Sequence, residues 1–390
     1  MAITTESDER TKVGGLILES LEIENFRAFK HLKVSRLGRV NLITGRNNSG
    51  KTCVLEALHI FARRGSPEAV WQVLQNREQL LLTDEVAGDA TRYGERNKVI
   101  DILRSLFSNS AEYNRFWKDE EFHVGQHQES RPFTFGIQRY SQEEGNNAKA
   151  PSKITERNPG FLVGITFDYA SDFNRSRYTG FSGVYDARRI IEADYRALFE
   201  ASDPYPSVLI PSGGVNYAFS SRMFDNIAAT ELENDMLDMM NLMIPAKRIN
   251  FRHSGIYPHS PYVLLKSGSE PIPLNQFGDG TRRLLGLGLA ILNSRNGFLL
   301  IDEFENGLHY TVQVDIWRHL FKLARRYNVQ VFATTHSWDC IEAFQQASVE
   351  DEDPKSGMLI RLTRQGDEVV STVFDEEDLR VITRDGIEVR

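Results

Sequence analysis

Eight consecutive residues, Gly45-Arg46-Asn47-Asn48-Ser49-Gly50-Lys51-Thr52, carry the strongest chemical signal in the chain. Their spacing, G-x-x-x-x-G-K-[ST], is that of a phosphate-binding loop. Glycines let backbone N–H groups curl around a phosphate, and a helix that starts there adds its dipole. Lys51 offers a point charge to β- and γ-phosphates, and Thr52 offers a hydroxyl to Mg²⁺. Cys53 completes the run of candidate nucleotide-binding residues. A second signal is Phe298-Leu299-Leu300-Ile301-Asp302-Glu303. Four apolar residues predict a buried strand, and Asp302 stands at its C-terminal end, where α/β sheets place ligands. Asp302 is a candidate Mg²⁺ ligand beside Thr52, and Glu303 is placed to orient or deprotonate an attacking water.

Three weaker elements follow the same logic. Gln276-Phe277-Gly278-Asp279-Gly280-Thr281-Arg282-Arg283 opens a helix, so Gly278, Asp279 and Gly280 form a second candidate anion-binding turn. His336 follows a buried strand within Val331-Phe332-Ala333-Thr334-Thr335-His336-Ser337 and is a candidate γ-phosphate contact. Glu305-Asn306-Gly307-Leu308-His309 forms a turn directly after the carboxylates.

These residues need a particular scaffold. Alternation of Leu21, Ile23 and Phe26 with polar residues predicts a strand, and residues 40–44 a short buried one. A helix follows the loop, another follows residue 280, and buried strands at 298–301 and 330–334 flank a helix. Strand, helix and strand in that order predict a parallel sheet covered on both faces. Residues 357–374 read as a hairpin turning near Gly366-Asp367. The middle, 62–205, is polar and mixed, with strand patterns near 133 and 161.

Composition narrows the class. The 390 residues carry 46 Lys and Arg against 54 Asp and Glu, a net charge of −8, which argues against coating nucleic acid by bulk positive charge. The longest apolar run, Leu284 to Leu292, is about half of the roughly 20 residues a membrane helix needs. Two cysteines without a C-x-x-C pair exclude a disulfide framework or structural zinc of cysteine type. The polar, acidic first 15 residues read as a leader rather than a targeting signal, so a cytoplasmic setting without membrane is expected.

The ordered set resembles the ABC-type ATPases of the SMC, RecF and OLD group. The opening through Thr52 resembles that group's first strands and Walker A loop, Phe277–Arg283 its signature, residues 299–309 its Walker B and D-loop, and residues 333–337 its switch histidine. The likeness is close over 16–60 and 205–345. It implies an α/β fold: an ABC-type P-loop head, with a mixed N-terminal sheet plus a central parallel sheet, built from 16–61 and 206–390 and interrupted by an inserted α/β lobe at 62–205. It implies ATP and Mg²⁺ as cofactors, with Lys51, Glu303 and His336 as catalytic residues. It also implies a homodimer, or an oligomer of dimers, in which the loop of one head meets Gly278–Gly280 of the other. Phe277 and Asp279 depart from the usual signature, and Thr281 can substitute for its serine hydroxyl. Gln126 and Gln128 are candidates for the Q-loop, equally explained as surface polar residues, and Arg27 either reaches the nucleotide or closes an ion pair.

Length then separates subclasses. No long heptad pattern supports a coiled-coil arm, and the 54 residues after His336 are too few for a nuclease domain. The acidic stretch Glu350-Asp351-Glu352-Asp353 reads as solvated loop. The resemblance therefore points to an ATPase subunit governing a separately encoded TOPRIM-like nuclease effector, as in antiphage systems resembling PARIS or Septu. The alternative is a RecF-like repair ATPase that binds DNA, for which Lys247-Arg248-Ile249-Asn250-Phe251-Arg252-His253, Arg188-Arg189, Arg282-Arg283 and Arg325-Arg326 are the basic clusters.

Overall fold

Leu21 and Ile23 pair across a hairpin with Val34 and Leu32, so one face of β1 (Leu21–Phe26) and β2 (Phe29–Val34) is buried and the other is open. The computed structural model describes residues 15–77, 104–108, 120–127, 133–141, 152–153, 161–168, 170–171, 174–175, 178–182, 205–252, 258–353 and 356–389. In chain order, β3 (Val40–Thr44), α1 (Lys51–Ala62) and α2 (Pro67–Gln75) follow. Then come β4 (Glu120–Gly125), β5 (Phe133–Ser141), β6 (Ser152–Lys153), β7 (Phe161–Asp168), β8 (Ala170–Ser171), β9 (Asn174–Arg175) and β10 (Tyr178–Ser182). β11 (Ser207–Ile210), α3 (Tyr217–Asp225), α4 (Leu232–Met240), β12 (Ala246–Arg252), β13 (Ser260–Leu265) and β14 (Ile272–Pro273) lead into α5 (Asp279–Asn293). The last third is β15 (Phe298–Ile301), α6 (Tyr310–Arg326), β16 (Gln330–Thr334), α7 (Trp338–Val349), β17 (Gly357–Gln365), β18 (Glu368–Phe374) and α8 (Glu376–Asp385).

The central sheet has the order β11-β15-β16-β3-β17-β18 and is parallel throughout except for β18. Its core strands bury every residue, which explains the unbroken apolar run 298–301. Val40, Leu42, Leu299, Ile301, Val331 and Ala333 point into one core with α4, α5 and α6. Ile43, Phe298, Leu300 and Phe332 point into a second core with α1 and the N-terminal hairpin. The α/β fold with a central parallel sheet is thus the one observed.

The second sheet runs β10-β7-β5-β4-β1-β2, with β6 against β5. Every described pairing in it is antiparallel rather than mixed. β4, β5, β6, β7 and β10 therefore continue the hairpin of β1 and β2, while β8 and β9 pair only with each other, and Phe122 and Phe135 stack in the core at 4.9 Å. A small sheet, β12-β13-β14, leaves Lys247, Arg248 and Arg252 exposed along β12. Arg188-Arg189, Gln128 and His253 lie outside the described residues. No described helix is long and apolar enough to cross a membrane.

Candidate nucleotide-phosphate site

β3, β16 and β15 are parallel neighbours, so their C-terminal ends bring the turns 45–52, 335–337 and 302–306 to one edge of the sheet. The first turn needs its glycines. Gly45 sits at φ 145°, where an added Cβ would lie 2.4 Å from the Leu362 carbonyl oxygen. Gly50 sits at φ 93°, and a Cβ there would meet the Phe29 ring at 2.7 Å. Asn48 also takes a left-handed backbone, a conformation asparagine tolerates better than most residues. Arg46, Asn47 and Asn48 are exposed, whereas the Ser49 hydroxyl is buried without a hydrogen-bond partner. The Lys51 ammonium folds over the turn and donates to the carbonyls of Gly45 (2.7 Å) and Arg46 (3.2 Å). Partial burial lowers its pKa, opposed by the nearby carboxylates of Asp302, Glu303 and Glu305.

The Thr52 hydroxyl donates to Asp302 at 3.1 Å, joining loop and carboxylate across 250 residues of sequence. Two hard oxygen donors at this edge fit a Mg²⁺ ion, whose ligands are oxygen atoms. Thr334, which sequence reasoning missed, organises the pair. Its hydroxyl donates to Asp302 Oδ1 at 2.7 Å and accepts the Glu303 backbone N–H at 2.8 Å. Glu303 holds φ 46°, an uncommon conformation for a residue with a side chain. Its carboxylate accepts from Asn306 Nδ2 at 2.6 Å. Arg283 fastens the same turn from below. It is buried and donates to the carbonyls of Pro211 (2.9 Å), Asp302 (2.8 Å) and Glu303 (3.0 Å). Burial pushes its pKa down to about 10, against the pull of Asp302, Glu305 and Glu303.

His336 is exposed at this edge. Its Nδ1 lies 3.1 Å from Glu305 Oε1, which also accepts its backbone N–H at 3.0 Å. The second oxygen of Glu305 is buried without a partner. Cys53 is buried behind the loop and accepts from Arg77 at 3.3 Å. Arg27 makes a buried ion pair with Glu56 at 3.1 Å, and Arg77 donates to the same carboxylate at 2.7 Å. Desolvation raises the Glu56 pKa, opposed by both arginines.

The Gly278–Gly280 turn starts α5. Gly278 is at φ 86°, Asp279 is exposed, and Arg282 lies 3.8 Å from Asp279. A Cβ on Gly280 would come within 2.8 Å of the Gly307 carbonyl oxygen, so this glycine permits close packing on the turn after Glu303. Thr281 is buried and its hydroxyl donates back to the Phe277 carbonyl at 3.2 Å, which turns it away from the surface on which a signature hydroxyl would act. A cavity of about 170 Å³ lies between this turn and Ser212–Val215, lined also by Arg283 and Asn306. Gln126 follows β4 in the N-terminal sheet.

Residues 40–339 match the family described as "AAA domain, putative AbiEii toxin, Type IV TA system". An ATP/GTP phosphatase of Helicobacter pylori is 23% identical over 381 residues, covering 93% of this chain and 97% of that protein. A DNA replication and repair protein RecF of Bacillus mycoides is 30% identical over 88 residues, 22% of each chain. Among solved structures, an Smc head bound to the C-terminal winged-helix domain of ScpA aligns over 94% of this chain and 99% of that one, with 11% identity and a TM-score of 0.45.

Proposed function

This chain belongs to the AAA-domain family that its residues 40–339 match, and from that premise we propose that it is an ATP-hydrolysing switch of ABC type whose heads pair head-to-tail on ATP. The observation that carries the reading is the convergence of Lys51, Thr52, Asp302, Glu303 and His336 at adjacent strand ends. Lys51 neutralises charge on the phosphates and must leave its carbonyl partners to do so. Thr52 and Asp302 would hold Mg²⁺, which supplies charge neutralisation and orientation when bound. Glu303, aimed by Asn306, accepts the proton of the attacking water. His336, held by Glu305, contacts the γ-phosphate from the side. The phosphatase activity named for the H. pylori relative supports hydrolysis.

Gly278–Gly280 sits on the outside of the Glu303 turn, where it would meet the loop of a second copy. Glu303→Gln should therefore form a stable dimer with ATP and Mg²⁺, read by light scattering. A protein that stays monomeric at saturating nucleotide refutes the paired-head reading.

The finer role proposed is a regulatory subunit that governs a separately encoded nuclease or toxin in antiphage defence. The family's description, which names a toxin–antitoxin system, and the net charge of −8 support a protein partner over DNA. The exposed Lys247, Arg248 and Arg252 of β12 favour a second reading, a RecF-like ATPase that binds DNA. Duplex affinity that falls steeply with salt and is lost on charge reversal of those residues would select it.

A further inference from the structure

We propose that the cleft of about 680 Å³ between α1, α2 and α3 is a second ligand site, which takes a nucleoside monophosphate. It lies at the far end of α1 from Lys51; at about 1.5 Å per residue that 12-residue helix is roughly 18 Å long. The chain also leaves the central sheet here. Ala62 ends α1, β4 to β10 follow, and Tyr205 returns to donate its backbone N–H to the Ala62 carbonyl at 3.0 Å. A ligand in the cleft therefore touches the helix that begins at the phosphate loop, beside the root of the strands inserted after it. The site is independent of the reading of the phosphate edge.

The walls select an anion that carries a flat ring. Arg63 and Arg222 line the cleft, and none of the described residues around it is Asp or Glu, in a chain whose net charge is −8. His59 adds no charge at neutral pH, because burial and then the neighbouring Arg63 lower its pKa to about 4. The ends of helices ordinarily bring negative partial charge through free carbonyls. At α1 the last four carbonyls, His59 to Ala62, each accept a backbone N–H instead. The walls are also braced from within. The two ring nitrogens of His59 lie 3.0 Å from Ser207 Oγ and 3.1 Å from Gln72 Oε1. Across the cleft, Asn226 donates to Asn293 Oδ1 at 2.8 Å, and Asn293 donates to the Met223 carbonyl at 3.0 Å. Phe219 and Arg222 stand one turn apart on α3, with the guanidinium 5.7 Å from the ring centroid. A nucleobase stacks on such a surface because every base has a π-face, and an arginine pairs with the phosphate. The volume falls within the roughly 300–1,000 Å³ usual for ligand sites.

The test titrates the full chain with AMP by calorimetry. AMP lacks the β- and γ-phosphates that a phosphate-loop lysine neutralises, and a Lys51→Ala arm removes what binding the loop still gives. One AMP per chain should bind to the parent and to Lys51→Ala alike. Arg63→Ala and Arg222→Ala should each weaken binding at least about tenfold, and the double variant should abolish it. Neither side chain belongs to the phosphate edge, so these variants should keep parental circular dichroism and ATP hydrolysis. Arg222 is exposed on α3, so Arg222→Ala carries the test alone if the double variant misfolds. Lack of saturable AMP binding by the parent overturns the proposal. Loss of AMP binding in Lys51→Ala overturns it too, by placing the ligand on the loop, and so does undiminished binding by Arg222→Ala. A 5′-phosphorylated single-stranded oligonucleotide that binds through the same arginines where AMP does not would make the cleft a nucleic-acid groove, and that also overturns it.

Discussion

Arg283 makes the sharpest test of how the carboxylate turn is held. Its guanidinium donates three hydrogen bonds, to the carbonyls that follow β11 and β15. At about 1.5–3 kcal/mol for a bond to a charged group, three contribute roughly 4–9 kcal/mol. Burying the charge opposes this. The fall of its pKa from 12.5 to about 10 corresponds to roughly 3 kcal/mol against the charged form. Arg283→Met fills similar space but leaves all three carbonyls without a donor, so the net loss should be about 1–6 kcal/mol. Urea denaturation followed by fluorescence and by circular dichroism should show the midpoint fall with an unchanged slope. Arg283→Lys, with one nitrogen for three acceptors, should fall between. Hydrolysis by a folded Arg283→Met should drop at least about tenfold, because Asp302 and Glu303 lose their backbone tie. A stability loss below about 1 kcal/mol would refute the claim that this fork fastens the turn.

Thr334→Val keeps the shape of the strand and removes the hydroxyl shared by Asp302 and the Glu303 N–H, so Mg²⁺-dependent turnover should fall about 10- to 100-fold with a stability loss of about 1–3 kcal/mol, measured by steady-state kinetics and denaturation. His59 is buried between Ser207 and Gln72, and burial lowers its pKa to about 4 from 6.5. The unfolded chain therefore binds the extra proton between those values, so the His59 contribution is intact above pH 6.5 and is lost progressively as pH falls toward 4, by up to about 3 kcal/mol. Denaturation midpoints from pH 7.5 to 5 should show a slope that His59→Gln flattens.

What the sequence disclosed of this site follows from how each residue acts. The turn 45–52 is legible because the requirements of a phosphate loop are local: two glycines and a lysine must stand at fixed spacing for backbone to wrap a phosphate. Asp302 and Glu303 are legible because residues 298–301, buried on both faces, announce a strand end. Thr334 and Arg283 are not, because they act through contacts 19 to 72 residues away and largely through backbone atoms, which leave no trace in residue type. A threonine ending a strand and a second arginine in a pair look ordinary. Arg27 stayed open between nucleotide and ion pair for the same reason, and Glu56 decides it, since a carboxylate buried at 1% exposure must keep its cation. The seven-stranded sheet was hidden too, because β4 pairs with β1 across 93 intervening residues, and residue type does not mark a strand partner at that separation. The two acidic residues then divide their work by environment rather than by identity. Asp302 accepts two threonine hydroxyls, from Thr52 and Thr334, and on the proposed reading is the Mg²⁺ ligand; Glu303, on a left-handed backbone, accepts from the Asn306 amide through Oε2, and on the same reading its other oxygen serves the water. Exchanging the two side chains would therefore reverse neither role but remove both.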